Sequence, residues 1–89
     1  MSGLVGWVES ALDRLADLFV TAWTAERDEI EATVLRINAA LAADPWALGE
    51  SRSGNRRVWF TYPLMVVYRI APTEGRVVVS RVARLRRRA

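Results

Sequence analysis

Apolar residues recur along this chain with two different periods. Leu12, Leu15, Ala16, Phe19 and Trp23 fall at intervals of three and four, the spacing that gathers side chains on one face of a helix. Asp13, Arg14 and Asp17 fall largely on the other face. Ser10 precedes this segment with Asp13 three residues on, an acidic variant of the capping box, so the pattern predicts a first helix over residues 10–22. Thr24 is the next N-cap candidate, and Glu26, Asp28 and Glu29 suit the positive end of a helix. Ile30, Val34, Ile37 and Leu41 make a second stripe, with Thr33 and Ala40 beside it. Asp44-Pro45 ends that helix, because the residue before a proline avoids helical dihedrals. With one or two residues between them, the helices form an antiparallel hairpin.

From residue 57 onward the period changes to two. Three short runs rich in Val, Trp, Phe, Tyr and Ile occupy residues 57–83, separated by Tyr62-Pro63 and by Ala71-Pro72-Thr73-Glu74-Gly75. Strand formers bounded by turn chemistry predict a meander of three antiparallel strands. A meander alone cannot bury its apolar face, so the helical hairpin is expected to cover it. Residues 3–8 add a possible edge strand, and residues 45–56 read as a polar connection. The predicted fold is α+β: a helical hairpin packed on a small, three- to four-stranded antiparallel sheet, with residues 1–89 as a single domain.

Alternation divides the strand residues into two faces. Val58, Phe60 and Tyr62 share one, as do Leu64, Val66, Tyr68 and Ile70; the alternate set is Arg57, Trp59 and Thr61, then Met65, Val67 and Arg69. Because the covered face should hold fewer arginines, Arg57 and Arg69 are expected together on the open face. In the third strand either parity carries arginine, and its register stays open, with a bulge able to shift it.

Composition sharpens this picture. The chain has no cysteine and no histidine, which removes disulfides, a thiol nucleophile, and the commonest general base and metal ligand. No metal or other cofactor is expected. No apolar run approaches the roughly 18 residues of a membrane span, and residues 1–8 lack a basic leader, so a cytoplasmic address without membrane partners is expected. Net charge is +3, yet residues 1–44 carry −5 and residues 45–89 carry +8. Such segregation points the C-terminal half toward a polyanion or an acidic protein segment. All thirteen basic residues are arginine. Bidentate recognition of phosphate or carboxylate explains that choice, and so does a GC-rich genome.

Trp7, Ala11, Asp44-Pro45, Gly49-Glu50-Ser51-Arg52, Arg57, Pro63-Leu64, Val67-Tyr68-Arg69-Ile70 and residues 77–82 together resemble the RelE/ParE superfamily of toxins from bacterial type II toxin–antitoxin modules. The resemblance spans nearly the whole chain and lies in order and spacing. It implies a helical hairpin on a curved sheet, a concave basic surface, and a cognate antitoxin as partner. It also implies one of two activities. RelE-like members cut mRNA on the ribosome without metal, directing a ribose 2′-oxygen at the neighbouring phosphate; ParE-like members inhibit DNA gyrase by binding.

The residues carried over from that resemblance divide by role. As catalytic candidates, Arg57 matches a basic position at the start of the second family strand, and Arg86 or Arg87 stands for the arginine near the end of the last strand. Trp59 occupies the second basic position, Met65 aligns with the catalytic arginine, and the C-terminal Tyr or His-Tyr is missing. Arginine remains protonated near neutral pH, so it clamps charge and accepts no proton; Glu50 and Glu74, both in predicted loops, are the remaining bases. This shortfall favours the binding branch over the nuclease, with a degenerate, non-toxic paralogue as a third reading. For binding a polyanion or the antitoxin the candidates are Arg56, Arg57, Trp59, Arg69, Arg81, Arg84, Arg86, Arg87 and Arg88. The bland alternatives are solvated strand arginines paired with Glu50 or Glu74, a frayed tail over residues 84–88, and tryptophans that pack. Packing is favoured for Trp7, Trp23 and Trp46, and Tyr68 is expected in the core with its hydroxyl partnered at the edge.

Overall fold

The computed structural model describes residues 4–86. The chain runs through strand β1 (Leu4–Trp7), helix α1 (Glu9–Thr21), helix α2 (Thr24–Ala43), a 3-10 turn (Pro45–Ala47), strands β2 (Glu50–Ser51), β3 (Arg56–Thr61) and β4 (Leu64–Ala71), a second 3-10 turn (Pro72–Glu74), and strand β5 (Arg76–Arg84). Among the described residues the strands form one five-stranded sheet, ordered β1-β5-β4-β3-β2. The helical hairpin covers one side, so the α+β architecture is as expected. The sheet is larger and mixed: β1 joins β5 in parallel, because two helices intervene and carry the chain across the sheet before it returns. Two residues of the expected connection, Glu50 and Ser51, add a short antiparallel edge on β3.

The core lies between the helices and the inner face of the central strands. Ile30, Ile37 and Leu41 of α2 meet Leu64, Val66, Tyr68 and Ile70 of β4 and Val77, Val79 and Val82 of β5. Thr33 is buried among them with its hydroxyl donating to the Glu29 carbonyl at 2.7 Å. Trp7 is half-buried and donates its Nε1 proton to Asn38 Oδ1 at 2.8 Å, tying β1 to α2. Trp23 and Trp46, expected to pack, are instead exposed.

The inward stripe of α1 differs from the expected one. Ala11, Leu18 and Ala22 are buried, with Leu15 and Phe19 at the margin. Leu12, Ala16 and Trp23 face outward. Both sets obey a helical period and differ by about one residue, or 100° of rotation; the alanines win because their small side chains let α1 lie close against β5. The caps also differ. The residue capping α1 is Val8, without a side-chain bond, and its carbonyl accepts from the Ala11 and Leu12 amides at 3.0 and 3.1 Å. For α2 the cap is Trp23, whose amide donates to Glu26 Oε1 at 2.9 Å, with Thr24 already helical.

The faces of β3 are the reverse of those expected. Thr61 pairs with Leu64 across a two-residue turn that has a cis Tyr62-Pro63 bond, and the ladder continues through Trp59 with Val66 to Arg57 with Tyr68. Arg57, Trp59 and Thr61 therefore share the covered face with the core of β4, and Arg56, Val58 and Phe60 look out beside Arg69, Val67 and Met65. Arg57 and Arg69 lie on opposite sides of the sheet. The open question in β5 is answered by an irregularity opposite Val67/Tyr68: Tyr68 pairs with Val79 and Val67 with Arg81, leaving Ser80 as the extra residue. Val77, Val79, Val82 and Arg84 consequently point inward, while Val78, Arg81 and Ala83 point outward.

Candidate anion-binding face

Three strands place arginines on the open side. Arg56 stands directly opposite Arg69 on the β3–β4 ladder, and Arg81 pairs with Val67 one strand over. Arg52, entering from the loop after β2, completes a groove of about 560 Å³ with Arg56 and Arg81, floored by Val58 and Val67 and edged by Ser53 and Ser80. The Ser80 hydroxyl donates to the Val67 carbonyl at 3.3 Å, which fixes the extra residue of β5 beneath Arg81. Among the described residues Arg56, Arg69 and Arg81 make no ion pair; Arg52 meets Glu50 at 3.4 Å on the exposed rim. Like charges directly opposite on a ladder oppose folding by a few tenths to about 1 kcal/mol. The Arg56–Arg69 pair therefore presents positive charge on the open side.

Several other sequence candidates face elsewhere. Arg57 donates from Nε to the Leu48 carbonyl at 2.7 Å and from Nη2 to the Gly49 carbonyl at 3.2 Å. The Leu48 carbonyl also receives the Tyr68 hydroxyl at 2.8 Å, which is shared with the Pro45 carbonyl at the same distance. Arg57 thus pins the segment between α2 and β2 onto the sheet, a task set by its inward parity. Burial pushes the Tyr68 phenol above its ordinary value; Arg57, by hydrogen bond and charge, draws it back, and Asp44 adds a smaller upward push. Trp59 packs at the margin of the core, in keeping with a covering aromatic. Arg84 turns inward and pairs with Glu26, the carboxylate that also caps α2. Arg86 lines a separate groove of about 780 Å³ together with Arg14, Glu29 and Tyr62. Arg87 and Arg88 lie outside the described residues.

Chemically, the open face is a cationic surface with an apolar floor. The inward turn of Arg57 passes its expected place on the open face to Arg56, which was already among the binding candidates. Met65 looks outward opposite Phe60, and Val58 lies between Arg56 and Phe60. Glu50 pairs with Val58 at the sheet edge and is engaged by Arg52. Among the described residues no group of three or more acidic, histidine or cysteine side chains is placed to hold a metal ion, and no helix is long and apolar enough to cross a membrane.

The architecture, two helices over one side of a five-stranded mixed sheet, shares its fold with solved RelE and ParE toxins. The RelBE2 toxin–antitoxin complex from Mycobacterium tuberculosis matches with a TM-score of 0.74 at 18% identity over 94% of this chain and 92% of that one. The isolated RelE toxin of E. coli matches at 0.64 and 13% identity, over 98% and 88% of the two chains. The ParDE system of P. aeruginosa matches at 0.65 and 15% identity, over 96% and 98%. No protein-family model and no curated protein matches the sequence.

Proposed function

We propose that this chain is the toxin of a type II toxin–antitoxin pair, acting by binding and inhibiting its target rather than by cutting RNA, and neutralised by an antitoxin that covers basic surface. The fold shared with RelE and ParE toxins supports the first part of this reading. The composition of the open face supports the second, and it is the observation that carries the choice. Cleaving RNA through a ribose 2′-oxygen needs cations placed for the extra phosphate charge and a group that moves protons. Arg56, Arg69 and Arg81 supply charge, but Val58 and Met65 occupy the middle of the face, and Glu50 at its edge is engaged by Arg52. Losing one well-placed charge stabiliser costs about 10²–10³ in rate, and a missing base compounds it. A surface of this kind holds an anionic partner.

Growth after expression of the chain, alone and with the product of the neighbouring gene, tests the toxin reading. Growth arrest relieved by the neighbour is expected; equal growth in both cases, with no complex formed, sinks it. Two further assays separate the branches. DNA gyrase supercoiling should fall in the presence of the protein, and ribosome-bound mRNA should stay intact. Cleaved mRNA with unchanged supercoiling would replace the binding mechanism with the nuclease.

A further inference from the structure

Helix α1 carries a second apolar row that no described residue covers. Leu12, Ala16 and Val20 follow at four-residue steps along its outer side, and Trp23 stands at the corner where the chain turns into α2. Leu12 is 49% exposed, Val20 72% and Trp23 81%. Glu9, Asp13 and Asp17 run beside them at the same spacing. Arg27 closes the C-terminal end of the row, donating to the Phe19 and Val20 carbonyls at 2.9 and 3.3 Å. Scattered apolar residues on a surface are ordinary, but a continuous row with acids along its length marks a docking surface.

The sheet's open face has the opposite character in the same geometry. Phe60, 59% exposed, lies with Val58, Met65 and Val67 among Arg56, Arg69 and Arg81. A helix of 13 residues is about 20 Å long, and a six-residue strand spans about the same, so α1 is matched in length to β3. The two surfaces lie on opposite sides of the sheet and cannot meet within one molecule.

We propose that the acidic-apolar row of α1 docks on the basic, apolar-floored sheet face of a second copy of this chain. One copy gives its helix and the other its sheet, so each joined pair leaves one helix row and one sheet face free, and longer assemblies form as concentration rises. Docking covers Arg56, Arg69 and Arg81, so the assembly stores the protein with its anion-binding face masked. This inference uses the geometry of the two faces and does not depend on the toxin reading.

Sedimentation velocity over a wide concentration range tests it directly. At low salt the sedimentation coefficient should climb with concentration, and high salt should weaken association roughly tenfold by screening the facing charges. Leu12→Ser with Val20→Asp spoils the helix row, and Arg56→Glu with Arg81→Glu spoils the sheet face; all four positions are exposed and outside the core. Each double variant should be monomeric. Mixed in equal amounts they should form a dimer and nothing larger, because one intact row meets one intact face. The proposal is overturned if the unmodified chain stays monomeric throughout, which leaves the α1 row to a basic segment of another protein. It is equally overturned if either variant still associates, as a contact between two identical surfaces would require, or if the mixture stays monomeric.

Discussion

At the scale of single residues, the segment that crosses from α2 to β2 depends on the missing side chain of Gly49 and on the Tyr68 hydroxyl. Gly49 has φ of 64°, and a β-carbon there would lie 2.4 Å from the Val58 carbonyl oxygen and 3.1 Å from Trp59 Cβ. Both neighbours are fixed by the ladder, so neither gives way. Gly49→Ala is expected to cost about 3 kcal/mol or more, from overpacking and left-handed strain together. Gly54 has nearly the same φ, 66°, but open space where its β-carbon would go, and Gly54→Ala should cost only about 1–2 kcal/mol. Urea unfolding midpoints of the two variants check the difference; equal losses would refute the packing argument. Tyr68 gives the same segment a pH dependence. Its phenol is raised in the folded state chiefly by burial, so the folded chain holds that proton more tightly than the unfolded one. The stability linked to it is complete below the ordinary tyrosine value of about 10 and is lost as pH rises through the higher folded value. Thermal melts from neutral to strongly alkaline pH should show a decline that Tyr68→Phe flattens. If that variant declines as steeply as the unmodified protein, the linkage lies elsewhere.

At the scale of elements, Glu26 couples the helical hairpin to the far end of β5. One carboxylate oxygen caps α2 through the Trp23 amide, and the other pairs with Arg84. The cap is worth about 1 kcal/mol and the partly exposed ion pair less than about 1 kcal/mol. Glu26→Ala should therefore destabilise more than Arg84→Met, and a double-mutant cycle between them should show positive coupling; strict additivity would mean the pair holds nothing. How much of these elements was legible follows the same logic of local rules. Both helices, the β1 edge strand and the three long strands follow from periodicity and turn chemistry. The faces of β3 were legible too, but through turn length rather than charge. A two-residue connection pairs Thr61 with Leu64, which forces Arg57 opposite Tyr68; sorting faces by arginine count reverses that result. The bulge at Ser80 was open in the sequence because both parities of β5 carry arginine, and only packing of Val79 and Val82 decides between them. In α1, two stripes fit the same period, and helix periodicity has no means of knowing which one a neighbouring strand covers.

At the scale of the whole molecule, charge segregation locates the excess arginine in one half of the chain and leaves its distribution over the faces unsettled. Of the strand arginines, Arg56, Arg69, Arg76 and Arg81 look outward, while Arg57 and Arg84 spend their charge on the protein's own carbonyls and carboxylate. That division predicts two kinds of arginine variant. A single-stranded RNA homopolymer serves as a sequence-neutral anion for measuring them. Each phosphate contact releases counterions, so log affinity falls with log salt by about 0.7 per contact. Arg56→Ala and Arg81→Ala should each weaken binding and reduce that slope by about 0.7, with the unfolding midpoint nearly unchanged. Arg57→Ala should do the reverse, leaving the slope in place while lowering stability by roughly 1–3 kcal/mol, since it removes the donor to the Leu48 and Gly49 carbonyls. Fluorescence anisotropy against salt, run beside urea denaturation, reads both quantities on the same samples. An Arg57 variant that loses slope and keeps its stability would move the anion site to the helix side of the sheet. The same readout sets the open face against the groove beside α2, where Arg14 and Arg86 share space with Glu29. Carboxylates in that groove offset its cations, whereas the outward row of β3, β4 and β5 holds arginine alone, so the larger share of the slope belongs to the sheet.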